Sequence, residues 1–575
     1  MRCEIRKWAF GAAGIWLALA VGAEAQPAKR GGPLSPFGIG SCYINNRSVA
    51  DNERWTPQMA VIGLTSFRTP HVDWGALEPK PGKWEWAALD AQMDSLDKQG
   101  FEFGCLLIGN PGWNKSDAPG HLPVRNLEGW SNYVDQVAKR VKGRATRIEV
   151  WNEPPNFTGK DQTPADYAKI VVAAYRAAKA VDPAFQIGLA AKSAHVNYLA
   201  QTIRAGARDH FDFITLHPYE VLDGVADDGG SEAVFFHIVP TVRRMLADCN
   251  PARKDAPVIF TELGVDAKQG LGPQAYALVK AYALAIAQGV LSVQWFEGRD
   301  GDSGPMGLLD GEGLPRPAYH ALATMIRHLG LHPEYLGWTR LGARAPAFAF
   351  EGARETVLVA WGAPGTPTKA EFPQEVRFVD PPTGTVRVGR TVTLGVAPVF
   401  VLGAPAATID AARANAGKPL DWGGDYSRAK EVSVEYAANA TEKGLHTRSG
   451  AQVAKAVVAY GGPARAGDVP GGNAFLVDPG FLCYDAAPIE ITAEVRRNPA
   501  NDNAGFKLVY ESTGGFKTAG TWYTIPDNKE WHIARWRIED PQFVSYWGFN
   551  FVLESDGAQY NKYLIRKVSV RRLDR

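Results

Sequence analysis

From residue 37 to about residue 330 the chain alternates short apolar runs with amphipathic stretches, and this alternation limits the fold more than any other feature of its 575 residues. Eight runs read as strands: 37–41, 65–69, 103–108, 147–151, 186–190, 212–216, 257–261 and 292–296. Between them, stretches such as 84–98, 127–141, 165–181 and 274–288 carry apolar residues at helical spacing. Strands that alternate with helices pair in parallel, because the chain returns to the same edge only through a long crossover. Eight such units in fewer than 300 residues predict an α/β fold, a (β/α)8 TIM barrel over 33–330, with its active site at the C-terminal ends of the strands. A doubly wound open sheet is the rival topology, but no glycine-rich phosphate turn follows the first run.

Past the helix-like segment 317–329 the pattern changes. Runs at 347–350, 356–361, 385–388 and 398–402, set between Pro- and Gly-rich turns, predict a small β-domain over 331–403. Residues 404–424, rich in Ala, Gly and Pro, read as a linker. From 425 to 575, strand-like runs at 489–495, 505–510, 531–536, 549–553 and 563–570 predict a β-sandwich of jelly-roll type. Its aromatic residues, among them Tyr484, Trp522, Trp536, Tyr546 and Trp547, suit either a carbohydrate-binding module or an ordinary core.

The first residues have the form of a secretory signal. Arg2, Arg6 and Lys7 precede an apolar stretch over 9–21, and Ala23-Glu24-Ala25 supplies a small-residue cleavage site, so 1–25 is expected to be a signal peptide and the chain secreted or periplasmic. That stretch is shorter than the roughly 20 residues a membrane helix needs, and no later segment replaces it, so no membrane span is expected. A formal net charge of +1 argues against a nucleic-acid or anionic-membrane partner held by bulk electrostatics. Of five cysteines, Cys3 falls in the signal, and Cys42, Cys105, Cys249 and Cys483 are scattered without metal-ligand spacing. No metal is expected, nor a disulfide framework, although a single bridge stays open.

Two acidic residues stand where a barrel would put its chemistry. Asn152-Glu153-Pro154 closes the run 147–151, and Thr261-Glu262-Leu263 closes the run 257–261. Cleaving a glycosidic bond takes one carboxylic acid to protonate the leaving oxygen and one carboxylate to attack the anomeric carbon or activate water. A lone glutamate at a strand end is ordinarily a solvated surface group. Two of them after buried-type strands, one between an amide donor and a proline that fixes the chain direction, make a catalytic pair. Burial and the neighbouring negative charge are expected to raise the pKa of the acid. Glu149, Glu220 and Glu297 lie on or near strand ends and compete for these roles.

These residues resemble the clan A glycoside hydrolases, over 37–329, and most of all the thirty-ninth family with its bacterial exopolysaccharide-hydrolase relatives. The segment 72–86 (VDWGALEPKPGKWEW) is similar to the stretch after strand two of such enzymes, and 307–310 (GLLD) with 317–322 (PAYHAL) to their last loop and helix. The resemblance implies Glu153 as general acid/base and Glu262 as nucleophile, with Asn152 donating to the sugar hydroxyl beside the anomeric carbon. It further implies that Arg68 keeps Glu262 ionised, that His217 and Tyr219 line the site, that Trp295 is its stacking floor unless it is a core residue, and that Trp113 shapes a neighbouring subsite. The expected activity is that of a secreted retaining glycoside hydrolase that cleaves a poly- or oligosaccharide by double displacement, with carbohydrate as its partner and neither metal nor organic cofactor. Two other readings stay open: a non-catalytic carbohydrate-binding barrel and a transglycosylase that uses the same covalent intermediate.

Overall fold

The computed structural model describes residues 33–41, 49–68, 71–226, 230–301, 303–342, 345–363, 365–436, 440–448, 456–467, 469, 472–498 and 503–573. The expected signal peptide and Cys42 lie outside the described residues. Nine strands form the first sheet: β1 (Phe37–Ser41), β2 (Ser66–Phe67), β3 (His71–Asp73), β4 (Glu102–Ile108), β5 (Arg147–Val150), β6 (Gln186–Lys192), β7 (Phe213–His217), β8 (Val258–Leu263) and β9 (Ser292–Phe296). All pair in parallel, and the order β2-β1-β9-β8-β7-β6-β5-β4-β3 closes on itself because β2 also pairs with β4. β2 and β3 are two pieces of one stave, so the sheet is the expected eight-stave barrel.

Strands covered on both faces are buried along their length, and β7 is buried at every position, its polar Thr215 and His217 included. Inside the barrel the fit is tight. A Cβ at Gly188 on β6 would lie 2.6 Å from the Phe213 ring, so only glycine leaves room for it. Phe213, Ile259 and Leu34 form a small separate apolar cluster. The outer helices begin at capping residues: Asn126 accepts from the Gly129 N–H at 3.0 Å to start Leu127–Val141, and Thr163 with Asp166 forms a capping box ahead of Pro164–Val181.

The second sheet has six antiparallel strands in the order β10 (Glu334–Leu341), β11 (Ala345–Glu351), β12 (Thr356–Ala360), β15 (Val399–Leu402), β13 (Thr368–Val379) and β14 (Val386–Leu394). Phe348, Phe350, Val357 and Phe400 join the barrel core, while Leu358, Phe378 and Val401 pack on the other face. That second face takes part of the segment expected to be a linker. Residues 404–424 contain the helix Ala406–Arg413, which buries Ile409 and Ala412. It lies so close to β10 that a Cβ on Gly337 would meet the Ala412 carbonyl at 2.0 Å. The alanines that suggested a linker favour a helix once an apolar face is available.

Residues 425–573 form two facing antiparallel sheets with a shared core that includes Val434, Phe475, Ile491, Phe506 and Val568. In the larger sheet the strand Tyr563–Arg572 pairs with Glu431–Tyr436, Ile489–Arg497 and Gly462–Ala466, which places it in the middle. Among the described residues Cys105, Cys249 and Cys483 are free thiols, and no helix is long and apolar enough to cross a membrane.

Candidate active site

Glu153 leaves the tip of β5 on an unusual backbone. Trp151 (φ 68°) and Glu153 (φ 46°) both occupy the left-handed region, a strain of order 1–3 kcal/mol each that the surroundings must hold. Three bonds do so: Tyr167 Oη donates to the Val150 carbonyl at 2.7 Å, the Trp151 indole N–H to the Phe157 carbonyl at 2.9 Å, and the Lys192 N–H to the Pro154 carbonyl at 3.0 Å. Glu262 sits one residue before the end of β8. Both side chains keep a small window to solvent, 15% for Glu153 and 13% for Glu262.

Arg68, just past β2, ties the floor together. Its Nε donates to Glu149 Oε2 at 2.6 Å, Nη2 donates to Asn152 Oδ1 at 2.8 Å, and Nη1 donates to Glu262 Oε1. Burial alone would lower the guanidinium pKa, but the charges of Glu149 and Glu262 raise it above the ordinary value, so Arg68 stays charged. With Asn152 Oδ1 taken, its Nδ2 is the end left to donate elsewhere. Glu149 lies beneath, at 4% exposure, where Thr215 Oγ1 at 2.7 Å and Thr261 Oγ1 at 3.1 Å also donate to it. Burial pushes the Glu149 carboxyl up, yet the Arg68 charge and hydrogen bond hold it below the usual range.

His217 joins the two candidate catalytic groups. Its Nδ1 is 2.8 Å from Glu153 Oε1 and 3.6 Å from Glu262 Oε2, while Nε2 meets Thr261 Oγ1 at 2.9 Å. Burial would drive the imidazole to its neutral form, but the charge of Glu262 and the bond to Glu153 raise its pKa. The expectation that Glu153 would carry a raised pKa is corrected here. Burial does push it up, but the His217 hydrogen bond and charge, with Asn156 Nδ2 at 3.3 Å and Arg68, bring it down to about 2. Both shifts tip the proton shared across the 2.8 Å contact toward His217. Tyr219 Oη donates to Glu262 Oε2 at 3.3 Å. One ligand-type atom each from Glu153, His217 and Glu262 lies within 4.8 Å of the others, a set that could in principle hold a metal ion. Glu262 is already bonded to Arg68 and the His217 ring favours its proton, so the arrangement suits proton transfer better than metal binding.

Six of the eight residues singled out from the sequence converge here: Arg68, Asn152, Glu153, His217, Tyr219 and Glu262. Trp295 does not serve as an open stacking floor, because it is fully buried in the barrel core, where its strand is flanked by β1 and β8. Trp113 belongs to an aromatic cluster, edge-on to Trp74 at 5.7 Å with its indole N–H on the Glu78 carbonyl at 2.6 Å. Of the competing carboxylates, Glu149 is a buried counter-ion, Glu297 is fully buried, and Glu220 lies in the first turn of the helix Tyr219–Ala226. Thr215 was missed, although its spacing two before His217 puts both on the inner face of β7.

No protein-family model matches the chain, and no curated protein does. Among solved structures it is similar to a family 39 glycoside hydrolase from the gut symbiont Bacteroides cellulosilyticus WH2, at 20% identity over 64% of this chain and 81% of that one, with a TM-score of 0.55. A family 39 β-xylosidase from Caulobacter crescentus matches at 19% identity over 66% and 98% of the two chains, with a TM-score of 0.46. A family 30 endoxylanase from Clostridium papyrosolvens C71 matches at 14% over 65% and 97%, with a TM-score of 0.47. At these identities it is the fold that is shared: the chain is a (β/α)8 barrel and resembles the family 39 glycoside hydrolase in its fold.

Proposed function

We propose that the chain is a retaining glycoside hydrolase acting on a poly- or oligosaccharide outside the cytoplasm, with Glu262 as nucleophile and Glu153 as acid/base. The observation that carries this reading is the pair itself, with one oxygen of Glu153 and one of Glu262 within 4.8 Å across His217. Retaining enzymes hold their carboxyl groups about 5–5.5 Å apart, whereas inverting ones leave about 6.5–9.5 Å for a water. In the first step the proton held between His217 and Glu153 passes to the glycosidic oxygen, the bond from that oxygen to the anomeric carbon breaks, and Glu262 forms an ester to that carbon. Arg68 and Tyr219 hold the Glu262 carboxylate aimed until then. Asn152 Nδ2 is free to donate to the neighbouring sugar hydroxyl. In the second step Glu153 takes a proton from water, which attacks the anomeric carbon and releases Glu262.

The test is a panel of purified glycans and aryl glycosides with wild type and Glu262→Gln, alongside labelling by an activated fluorosugar. Turnover by wild type, its loss by several orders of magnitude in a folded Glu262→Gln, and a covalent adduct on Glu262 by mass spectrometry are expected. A wild-type chain that binds glycans without turnover would be a binding barrel, and near wild-type activity in Glu262→Gln would remove that residue from the mechanism.

A further inference from the structure

The C-terminal sandwich sits on the rim of the barrel beside the candidate catalytic pair. Ser193, directly after β6 and itself left-handed (φ 49°), donates through Oγ to the Tyr546 carbonyl, and its own carbonyl accepts from the His217 N–H at 3.2 Å. The His195 ring stacks on Tyr546 with centroids 3.9 Å apart and planes 4° from parallel. Asn197 Nδ2 donates to the carbonyls of Ser512 at 3.1 Å and Gln542 at 3.0 Å. A Cβ at Gly548 would lie 2.4 Å from the Glu220 carbonyl, so the loop presses on the start of the helix that carries Tyr219.

This loop is held from within. The fully buried Glu511 carboxylate accepts from the N–H groups of Val544 at 2.8 Å, Ser545 at 2.9 Å and Tyr546 at 3.0 Å, and from Asn550 Nδ2 at 3.0 Å. Four donors on one carboxylate fix the turn that presents the next residue, Trp547. The half-buried Trp547 ring lies 4.2 Å from Lys192 Nζ, close enough for a cation–π contact. Lys192 is the register partner of His217, so the two side chains leave the sheet on the same face, the inner one. Among the described residues the Lys192 ammonium makes no ion pair, while the Lys192 backbone N–H donates to the Pro154 carbonyl at 3.0 Å, one residue past Glu153.

We propose that the sandwich completes the saccharide cleft: Trp547 holds the Lys192 ammonium on the Glu153 side, where the two bind a sugar unit through an oxygen acceptor on its ring. A sugar carboxylate and a sugar hydroxyl both offer that acceptor. The proposal rests on the glycosidase reading for the kind of ligand, but not on turnover. A printed array of neutral and uronate-containing oligosaccharides, probed with full-length Glu262→Gln, reads binding. The same array probed after adding Lys192→Met or Trp547→Ala should lose at least tenfold in signal, at an unchanged melting temperature. Loss confined to the uronate spots identifies the acceptor as a carboxylate, and equal loss on neutral spots identifies a hydroxyl. In turnover, the kcat/KM ratio of oligosaccharide over aryl glycoside should fall about tenfold in either variant. Signals and ratios unchanged in both variants would overturn the proposal and leave the hydrolase standing. Glycan binding through Lys192 and Trp547 without any turnover would sink the hydrolase alone, and a chain that neither binds nor cleaves any glycan sinks both.

Discussion

At the scale of single residues the site is governed by where one proton rests. Glu153 and His217 share it, and their neighbours tip it toward the imidazole: Glu262 attracts the positive ring, and the ring's charge lowers Glu153. A histidine with a raised pKa loses its proton only as pH climbs above the ordinary value of 6.5. Turnover should therefore fade on the alkaline side at a pH above that value. His217→Gln keeps a hydrogen-bond partner for Glu153 but removes the charge that depresses it, so the proton would sit on the carboxyl itself. The alkaline limb of kcat/KM should then move down toward the carboxylate range, with most activity at neutral pH lost and more retained under acid conditions. A limb that stays in place would mean that His217 does not store the proton. Glu153 and Glu262 were legible in the sequence because position and neighbours marked them. The direction of the Glu153 shift was not, since it depends on a histidine 64 residues away that only the closed barrel brings within 2.8 Å.

Among elements, legibility followed periodicity. The barrel strands announce themselves as apolar runs, and Leu127–Val141 and Pro317–Leu329 lie where their helical spacing put them. Strands with one solvent face were harder. Thr368–Val379 alternates buried and exposed positions and contains Pro373, and it was missed, as was Glu334–Leu341. The loop after the strand His532–Ile538 owes its shape to Glu511, on the neighbouring strand Gly505–Ser512, which no pattern in the sequence marks. Burial pushes the Glu511 carboxyl up to about 7 in spite of its four donors, from an ordinary 4.5. A carboxyl with a raised folded-state pKa contributes stability that is fully present below about 4.5 and lost as pH rises through about 7. Across that window the melting temperature of wild type should decline more steeply than that of Glu511→Gln, whose side chain does not ionise. Parallel curves by calorimetry would mean that Glu511 does not titrate in the folded chain.

On the scale of the whole molecule the sandwich behaves as part of the barrel's wall. Of its aromatic residues, Tyr484 and Trp536 are buried, Trp522 meets Tyr560 edge-on, and Trp531 lies under Arg566. Thr241 on a barrel helix meets Cys483 at 3.1 Å, and Tyr484 donates to Asp248 at 3.1 Å. Removing everything after residue 424 should then strip partners from Ser193, His195 and Asn197, lower the melting temperature, and abolish cleavage even of a small aryl glycoside. A truncated chain that keeps small-substrate turnover would instead be an independent barrel with a detachable module. The central place of Tyr563–Arg572 in its sheet sets an order on biosynthesis as well. Glu153, His217 and Glu262 are translated long before that strand, yet the surface that supports the loop between β6 and His195 exists only once it has been inserted. A nascent chain would carry the candidate catalytic residues for most of translation without a finished site, and a stop codon within the last few dozen positions should remove the proposed activity although Glu153, His217 and Glu262 are all encoded upstream of it.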